Sequence, residues 1–115
     1  MEKTRTMVFG LLILMLVAGR GASSTLADVR VTPNPVRVFA GQTEAVFERL
    51  PVPSHIVLYT AAGVLVRGVL ANDPSGIYRW DLKDEAGRDA APGEYLYVVS
   101  DEAGRQIRGK LSVIR

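Results

Sequence analysis

Few side chains in this sequence are suited to catalysis. The chain has a single histidine, His55, and no cysteine, which excludes a thiol nucleophile, a disulfide framework and a cysteine-ligated zinc site. Ser54 and Ser100 lie outside any G-x-S-x-G nucleophile motif. His55 begins an apolar segment and has no acidic neighbour, which is typical of a histidine at a strand end. We therefore expect no catalytic residue and predict that the protein is not an enzyme.

A cluster of carboxylates between residues 81 and 89 is the strongest indication of a metal site. Their spacing departs from the D-x-[DN]-x-[DN]-G pattern of calcium loops, and Lys83 and Arg88 lie among them. We expect no metal and no cofactor, with calcium as the weaker alternative. The carboxylates concerned are Asp81, Asp84, Glu85 and Asp89.

The charge of the chain is concentrated at its N-terminus. The formal net charge is +2, and Lys3, Arg5 and Arg20 against Glu2 account for all of it. Residues 28–115 are therefore neutral overall, without the clustered basic side chains that nucleic-acid binding requires. We expect protein partners and no nucleic acid.

The N-terminal segment has the pattern of a secretory signal peptide. Lys3 and Arg5 precede an apolar run over residues 8–19, which as a helix would span about 18 Å and is too short for a ~30 Å membrane core. Thr25-Leu26-Ala27 fits the small-x-small pattern of a cleavage site, which predicts cleavage before Asp28. We predict a signal peptide over 1–27 and one domain over 28–115, with an uncleaved anchor as the alternative.

A signal peptide implies export, and with it contact with a membrane only during translocation. An exported chain without cysteine suits the periplasm, the outer-membrane surface or the extracellular space of a bacterium.

Short apolar runs separated by Gly, Pro, Asn and Asp predict an all-β domain. No window keeps the 3.6-residue period of a helix. We expect a small Ig-like antiparallel β-sandwich of about seven strands, in which the first two segments form one edge strand broken by Pro33 and Pro35. The predicted segments are 28–32, 36–40, 44–50, 55–60, 64–70, 76–82, 94–100 and 105–114.

Three turns share one chemical pattern. Residues 60–63, 84–87 and 101–104 each begin with a polar residue and end with glycine, as in a type I turn followed by a left-handed residue. The segment D-E-A-G-R occurs at both 84–88 and 101–105. We interpret this repeat as two hairpin tips with the same turn geometry; a repeated ligand loop is the alternative.

Alternation along the strands predicts a core centred on Trp80. Leu70 and Tyr78 are expected to pack with it, and a carbohydrate platform formed by Trp80 and the tyrosines is the weaker alternative. The predicted core residues are Ile56, Leu58, Trp80, Tyr95, Tyr97, Val99, Leu111 and Val113.

Motifs along nearly all of residues 28–115 resemble a known family. V-T-P-N-P at 31–35, L-P at 50–51, W-D at 80–81, P-G-E-Y at 92–95 and K-L-S-V-I-R at 110–115 are similar, in order and spacing, to type A C-terminal sorting domains of the type IX secretion system. The stretch 80–95 is equally similar to the Ig-like domain of flagellar hook-capping proteins. Leu82 stands where the sorting domains usually have glycine, Glu48 where an apolar residue is usual, and Thr60 where they have aspartate.

The resemblance implies a non-catalytic module that outer-membrane secretion machinery recognises. The alternative it implies is a structural or protein-interaction module in a surface or hook-cap-like assembly. Sorting domains follow a large cargo domain, so we expect a stand-alone domain or the tail of a longer protein. The residues that the resemblance marks for recognition are Pro33, Asn34, Pro35, Gly93, Tyr95, Lys110 and Arg115.

The last predicted strand ends at the C-terminus. If it lies at a sheet edge, its backbone would be open to a partner. We expect it to present Lys110 and Arg115 on the surface and to turn Leu111 and Val113 inward.

Overall fold

The structure, a computed structural model, describes residues 25–115. The predicted signal peptide lies outside the described residues except for Thr25–Ala27. Leu26 is nevertheless buried in the domain core, and a short 3-10 turn, Leu26–Asp28, contacts the last two strands. Within residues 25–115, no helix is long and apolar enough to cross a membrane.

Eight strands and two short 3-10 turns make up the described chain. The prediction of an all-β fold is confirmed, with one strand more than the seven expected. The strands are β1 (Arg30–Thr32), β2 (Val36–Arg37), β3 (Ala45–Glu48), β4 (Ser54–Thr60), β5 (Leu65–Ala71), β6 (Tyr78–Trp80), β7 (Gly93–Asp101) and β8 (Gln106–Ile114). The second 3-10 turn, Val38–Ala40, follows β2.

The strands form two sheets that pack into a sandwich. The first sheet has the order β1-β3-β6 and the second the order β2-β8-β7-β4-β5. All pairs are antiparallel, as predicted, except the short pair of β2 with β8, which run parallel. The parallel pair arises because the chain enters the second sheet from the first instead of folding back through a hairpin.

The two N-terminal strands belong to different sheets. β1 pairs with β3, and β2 pairs with β8. Between them, Pro33 and Pro35 offer no N–H to either ladder and restrict the backbone of Thr32 and Asn34 to extended geometry. The interpretation as one broken edge strand is therefore wrong, because the prolines mark a crossing from sheet to sheet.

The core lies between the sheets and is rich in aromatic contacts. Trp80 is fully buried, with its ring edge-on to that of Tyr95 at a centroid distance of 5.7 Å. Phe47 contacts Tyr97 edge-on at 5.3 Å, a geometry that aromatic quadrupoles favour. Phe47 was not among the predicted core residues. Of the predicted core residues, the buried ones are Ile56, Leu58, Trp80, Tyr95, Val99, Leu111 and Val113, and Tyr97 is half-buried.

Leu70 does not join this core, contrary to expectation. It lies opposite His55 in the β4–β5 ladder and is 55% exposed. Because neighbouring residues of a strand point to opposite faces, the register that turns Ile56 inward with Val69 turns Leu70 outward.

The predicted turn geometry is confirmed at all three positions. Gly63, Gly87 and Gly104 have φ of 87°, 81° and 83°, a region that glycine enters without steric cost. The N–H of Gly87 donates to the carbonyl oxygen of Asp84, and the N–H of Gly104 to that of Asp101, each at 3.0 Å. The two D-E-A-G-R segments thus adopt one turn solution, as interpreted from the sequence.

Candidate recognition site at the C-terminal strand

The side chain of Asn34 pairs with β8 as a strand backbone would. Its Nδ2 donates to the carbonyl oxygen of Lys110 at 2.9 Å, and its Oδ1 accepts from the N–H of Ser112 at 3.1 Å. Pro33 and Pro35, both half-buried, hold the flanking backbone extended. Asn34 therefore fixes the crossing segment to the last strand through both functions of its amide.

The backbone of β8 is closed on both sides from the carbonyl group of Lys110 to Ile114. β7 pairs with one side, while Asn34 and β2 occupy the other, with Val36 opposite Val113 and Arg37 opposite Ile114. The expectation that this part of the last strand exposes its backbone is wrong, because β2 covers it in parallel register.

Gly93 and Tyr95 lie at the same end of the second sheet. Gly93 begins β7 opposite Val113 with φ of 144°, and an added Cβ would meet no atom within 4 Å. Its role is therefore conformational. Tyr95 is 5% exposed, and its hydroxyl donates to the carbonyl oxygen of Ala91. A partner could not reach the Tyr95 ring, which belongs to the core.

Lys110 and Arg115 differ in how freely they present their charge. The Lys110 side chain is 69% exposed, and its Nζ lies 3.9 Å from Oε1 of Glu94. Nε of Arg115 donates at 2.9 Å to the carbonyl oxygen of Ala90, a residue that is buried. Lys110 is thus a surface charge, whereas Arg115 also ties the C-terminus to the loop over residues 81–92.

The seven candidate residues assemble at one end of the second sheet. Asn34, Lys110 and Arg115 offer polar groups there, while Pro33, Pro35, Gly93 and Tyr95 shape the backbone and the core beneath them. The arrangement can bind through hydrogen bonds and charge.

The loop over residues 81–92 closes the opposite edge of the same sheet, at β5. The N–H of Glu85 donates to the carbonyl oxygen of Val66 at 2.9 Å, and its Oε2 accepts from the N–H of Gly68 at 2.8 Å. Nη1 of Arg67 lies 3.5 Å from Oδ1 of Asp81. From the sequence, Asp81 and Glu85 were candidates for a weak calcium site and Glu85 was also a turn residue. Their role at the edge of β5 was missed, since the segment D-E-A-G-R does not reveal which strand it contacts.

Lys83 and Asp89 form an ion pair within this loop, with Nζ and Oδ1 2.7 Å apart. The hydrogen bond from Lys83 and the nearby charge of Arg115 lower the pKa of Asp89, and the bond to Asp89 raises the pKa of Lys83. A hydrogen bond from the backbone of Arg88 lowers the pKa of Asp84. The loop carboxylates therefore accept hydrogen bonds from the protein itself.

Within residues 25–115 the structure places no three His, Asp or Glu side chains close enough together to hold a metal ion. His55 is exposed on β4, opposite Leu70 on one side and Ser100 on the other. Ser54 is buried, and its hydroxyl donates to the carbonyl oxygen of Pro51. Its hydroxyl thus serves the turn before β4.

The comparisons with known proteins concern the fold. No protein-family model matches the chain, and no curated protein sequence matches it. Among solved structures, the chain is similar to part of PorZ, an essential bacterial surface component of the type-IX secretion system of Porphyromonas gingivalis. The TM-score is 0.70, with 23% identity over 84% of this chain.

A second similarity is to dimeric latent PorU from Porphyromonas gingivalis, with a TM-score of 0.54 and 28% identity over 75% of this chain. The chain spans 13% of the PorZ chain and 9% of the PorU chain. The fold described above therefore recurs as a small part of two much longer proteins of that bacterium.

Proposed function

We propose that this protein is an exported, non-catalytic Ig-like module of type IX secretion, recognised by outer-membrane secretion machinery as a sorting domain is. The observation that carries the proposal is the match of 84% of the chain to part of PorZ, a surface component of that system. The motif order from V-T-P-N-P to the C-terminal K-L-S-V-I-R supports the same reading.

The C-terminal end of the second sheet supplies the recognition surface in this proposal. Asn34 locks the crossing segment onto β8, so that the exposed ammonium group of Lys110 is held on a rigid strand. Arg115 closes the same end by its bond to Ala90. Recognition of a positioned charge requires such rigidity, because ordering a mobile side chain costs binding free energy.

A second candidate function is a structural module within a cell-surface assembly. The observation that favours it is that the fold occupies only 13% and 9% of the two neighbouring chains. In this role the module would position other domains and would not serve as an address.

Surface delivery of a fused reporter tests the first proposal. The chain is placed behind an exported reporter in a host with type IX secretion, and reporter at the cell surface is compared with total reporter. We expect Lys110→Glu to reduce delivery while the thermal midpoint stays close to that of the parent, since an exposed charge change costs about 0.5 kcal/mol or less.

Arg30→Glu is the matched control, because Arg30 is also an exposed basic strand residue but lies in the first sheet. It should leave delivery unchanged. Arg115→Glu is tested separately, because it also removes the bond to Ala90 and will lower stability. Normal delivery of a folded Lys110→Glu chain would remove the charge-recognition role. Surface delivery equal to that of the reporter without the module would favour the structural candidate.

A further inference from the structure

Polar side chains close parts of the edges of the second sheet at which no neighbouring strand is paired. Asn34 pairs with Lys110 and Ser112 at β8, and Glu85 pairs with the edge of β5. At β2, Oε1 of Gln42 accepts from the N–H of Arg37, and the N–H of Gln42 donates to the carbonyl oxygen of Arg37. Each side chain satisfies backbone groups that an edge strand otherwise leaves open to pairing with another chain.

One stretch of β8 is left without such a cover. Backbone groups alternate in direction along a strand, and those of Lys110 and Ser112 point away from β7 towards Asn34. By the same alternation, the N–H and carbonyl groups of Gln106 and Arg108 point outward, as does the N–H of Lys110. Within residues 25–115 no hydrogen-bond partner satisfies these outward groups.

The charge beside this stretch is positive and weakly compensated. Arg108 is exposed, and no carboxylate among residues 25–115 lies within ion-pair distance of it. Lys110 has only Glu94 nearby, at 3.9 Å. On the inner side of the same stretch, half-buried Ile107 and the ring of Tyr97, which lies over Gly109, offer an apolar surface.

A second copy of this chain is a poor occupant for the edge. If two copies joined antiparallel through β8 about a two-fold axis at Arg108, the two Arg108 side chains would face each other. Like charges directly opposite each other in a ladder are destabilising. The edge therefore favours a partner whose charge is opposite to its own.

We propose that the outward edge of β8 at residues 106–110 binds an extended segment of another protein, which adds as a further strand to the second sheet. The segment carries carboxylates opposite Arg108 and Lys110 and apolar side chains towards Ile107 and Tyr97. Main-chain hydrogen bonds provide the affinity and the alternating side chains the specificity. The inference rests on the proposed function for the class of partner, a protein, and adds the place and chemistry of its binding.

Amide hydrogen exchange on the full chain tests whether the edge is open. The N–H groups of Arg108 and Lys110 should exchange at least about a hundredfold faster than those of Ile107 and Gly109, which face β7. Slow exchange at Arg108 and Lys110 in the free chain would overturn the proposal, because the edge would then already be paired.

Peptide binding tests the chemistry of the occupant. The probe is a fluorescein-labelled peptide of alternating valine and glutamate, and the control peptide carries lysine in place of glutamate. The glutamate peptide should bind more tightly than the lysine peptide, and its affinity should fall at high salt. Its binding should also slow hydrogen exchange at Arg108 and Lys110. Equal binding of the two peptides would overturn the charge complementarity. If neither peptide binds, the proposal is overturned, and the positive charges serve only to keep other strands away from the edge.

Two variants at one position separate backbone from charge. Arg108→Ala removes the charge and keeps the N–H, whereas Arg108→Pro also removes the N–H, which an outward edge position tolerates. Arg108→Pro should weaken glutamate-peptide binding by about tenfold beyond Arg108→Ala. If Arg108→Pro does not fold, N-methylation of the peptide at alternate residues makes the same test on the other partner.

The outcomes distinguish this inference from the proposed function. Loss of peptide binding in Arg108→Pro with normal surface delivery would reject the edge as the recognition site and leave the function standing. If the unaltered chain binds the peptide but is not delivered to the surface, the proposed function is rejected and the edge remains a binding site. Dimerisation of the full chain that Arg108→Pro abolishes would overturn the inference in favour of a second copy.

Discussion

Leu82 carries a conformational conflict at a single residue. Its φ is 63°, in the left-handed region, and yet its side chain is 3% exposed. A non-glycine residue there costs about 1–2 kcal/mol. Burial of the leucine side chain offsets the cost here.

This conflict predicts that glycine is a less destabilising replacement than alanine at residue 82. Leu82→Ala loses the buried side chain and keeps the strain, whereas Leu82→Gly loses the side chain and relieves the strain. We expect both to lower the free energy of unfolding by about 2–5 kcal/mol, with Leu82→Gly the more stable by about 1 kcal/mol. Urea denaturation measures both; Leu82→Ala as the more stable variant would contradict the strain.

Asn34 depends on having a donor and an acceptor in one side chain. Asn34→Asp keeps the acceptor for Ser112 but places a carboxylate oxygen against the carbonyl oxygen of Lys110. We expect a loss of about 1–2 kcal/mol in unfolding free energy. Asn72→Asp, at an exposed turn residue, is the control and should stay within about 0.5 kcal/mol. Equal effects of the two substitutions would deny Asn34 its bridging role.

At the scale of elements, the repeated turn separates local geometry from tertiary contact. Both copies hold the same internal hydrogen bonds. Oδ1 of Asp84 accepts from the N–H groups of Ala86 and Arg88, and Oδ1 of Asp101 accepts from those of Ala103 and Arg105. In the first copy the carboxylate of Glu85 accepts a hydrogen bond from the N–H of Gly68 in β5, whereas Glu102 accepts no hydrogen bond from a strand within residues 25–115.

The two copies therefore serve as matched controls for each other. Glu85→Ala should cost about 1 kcal/mol, because it leaves the N–H of Gly68 without its acceptor. Glu102→Ala should change the unfolding free energy by less than about 0.5 kcal/mol. Hydrogen exchange at Gly68 should accelerate in Glu85→Ala alone. Acceleration in both variants, or in neither, would show that Glu85 does not close the edge of β5.

The 3-10 turn Leu26–Asp28 spans the predicted boundary between signal peptide and domain. Leu26 is buried, and Thr25 and Asp28 hydrogen-bond to each other around the 3-10 turn. Cleavage after Ala27 would remove Leu26 from the core. We therefore expect the exported chain to begin at Thr25, after the small residues A-S-S at 22–24. N-terminal sequencing of the exported chain decides between this site and Asp28.

The strands and turns could be predicted from local sequence, whereas the pairing partners of the edge strands could not. Gly63, Gly87 and Gly104 carry their turn type in the sequence, because each occupies a position that demands positive φ. The closing roles of Asn34 and Glu85 depend on strands distant in the chain, Lys110 and Gly68 respectively. No local pattern encodes such contacts, so the sequence did not reveal that Asn34 and β2 cover the C-terminal part of the β8 edge.

For the whole molecule, ionisable groups set the pH range over which the sandwich is most stable. Hydrogen bonds that fix turns and the loop lower the pKa of Asp73, Asp84 and Asp89, principally through the N–H of Ser75, the N–H of Arg88 and the ammonium group of Lys83. Burial raises the pKa of Tyr78, Tyr95 and Tyr97.

The two groups act on opposite limbs of the stability curve. A carboxylate with a lowered pKa stabilises the fold above its usual pKa of 3.8 and loses that contribution as the pH falls through its folded value. A buried tyrosine resists ionisation, so above its usual pKa of 10.0 the unfolded chain ionises first and the fold loses stability. We therefore expect a plateau in unfolding free energy between these limits.

Urea denaturation at a series of pH values measures the loss of unfolding free energy at low and at high pH. The variant Asp84→Asn tests the loss at low pH, the acid limb. In that variant the stability lost on acidification should be smaller, because residue 84 no longer takes up a proton on unfolding. An acid limb that Asp84→Asn leaves unchanged would mean that the turn carboxylate is no more acidic in the folded chain than in the unfolded one.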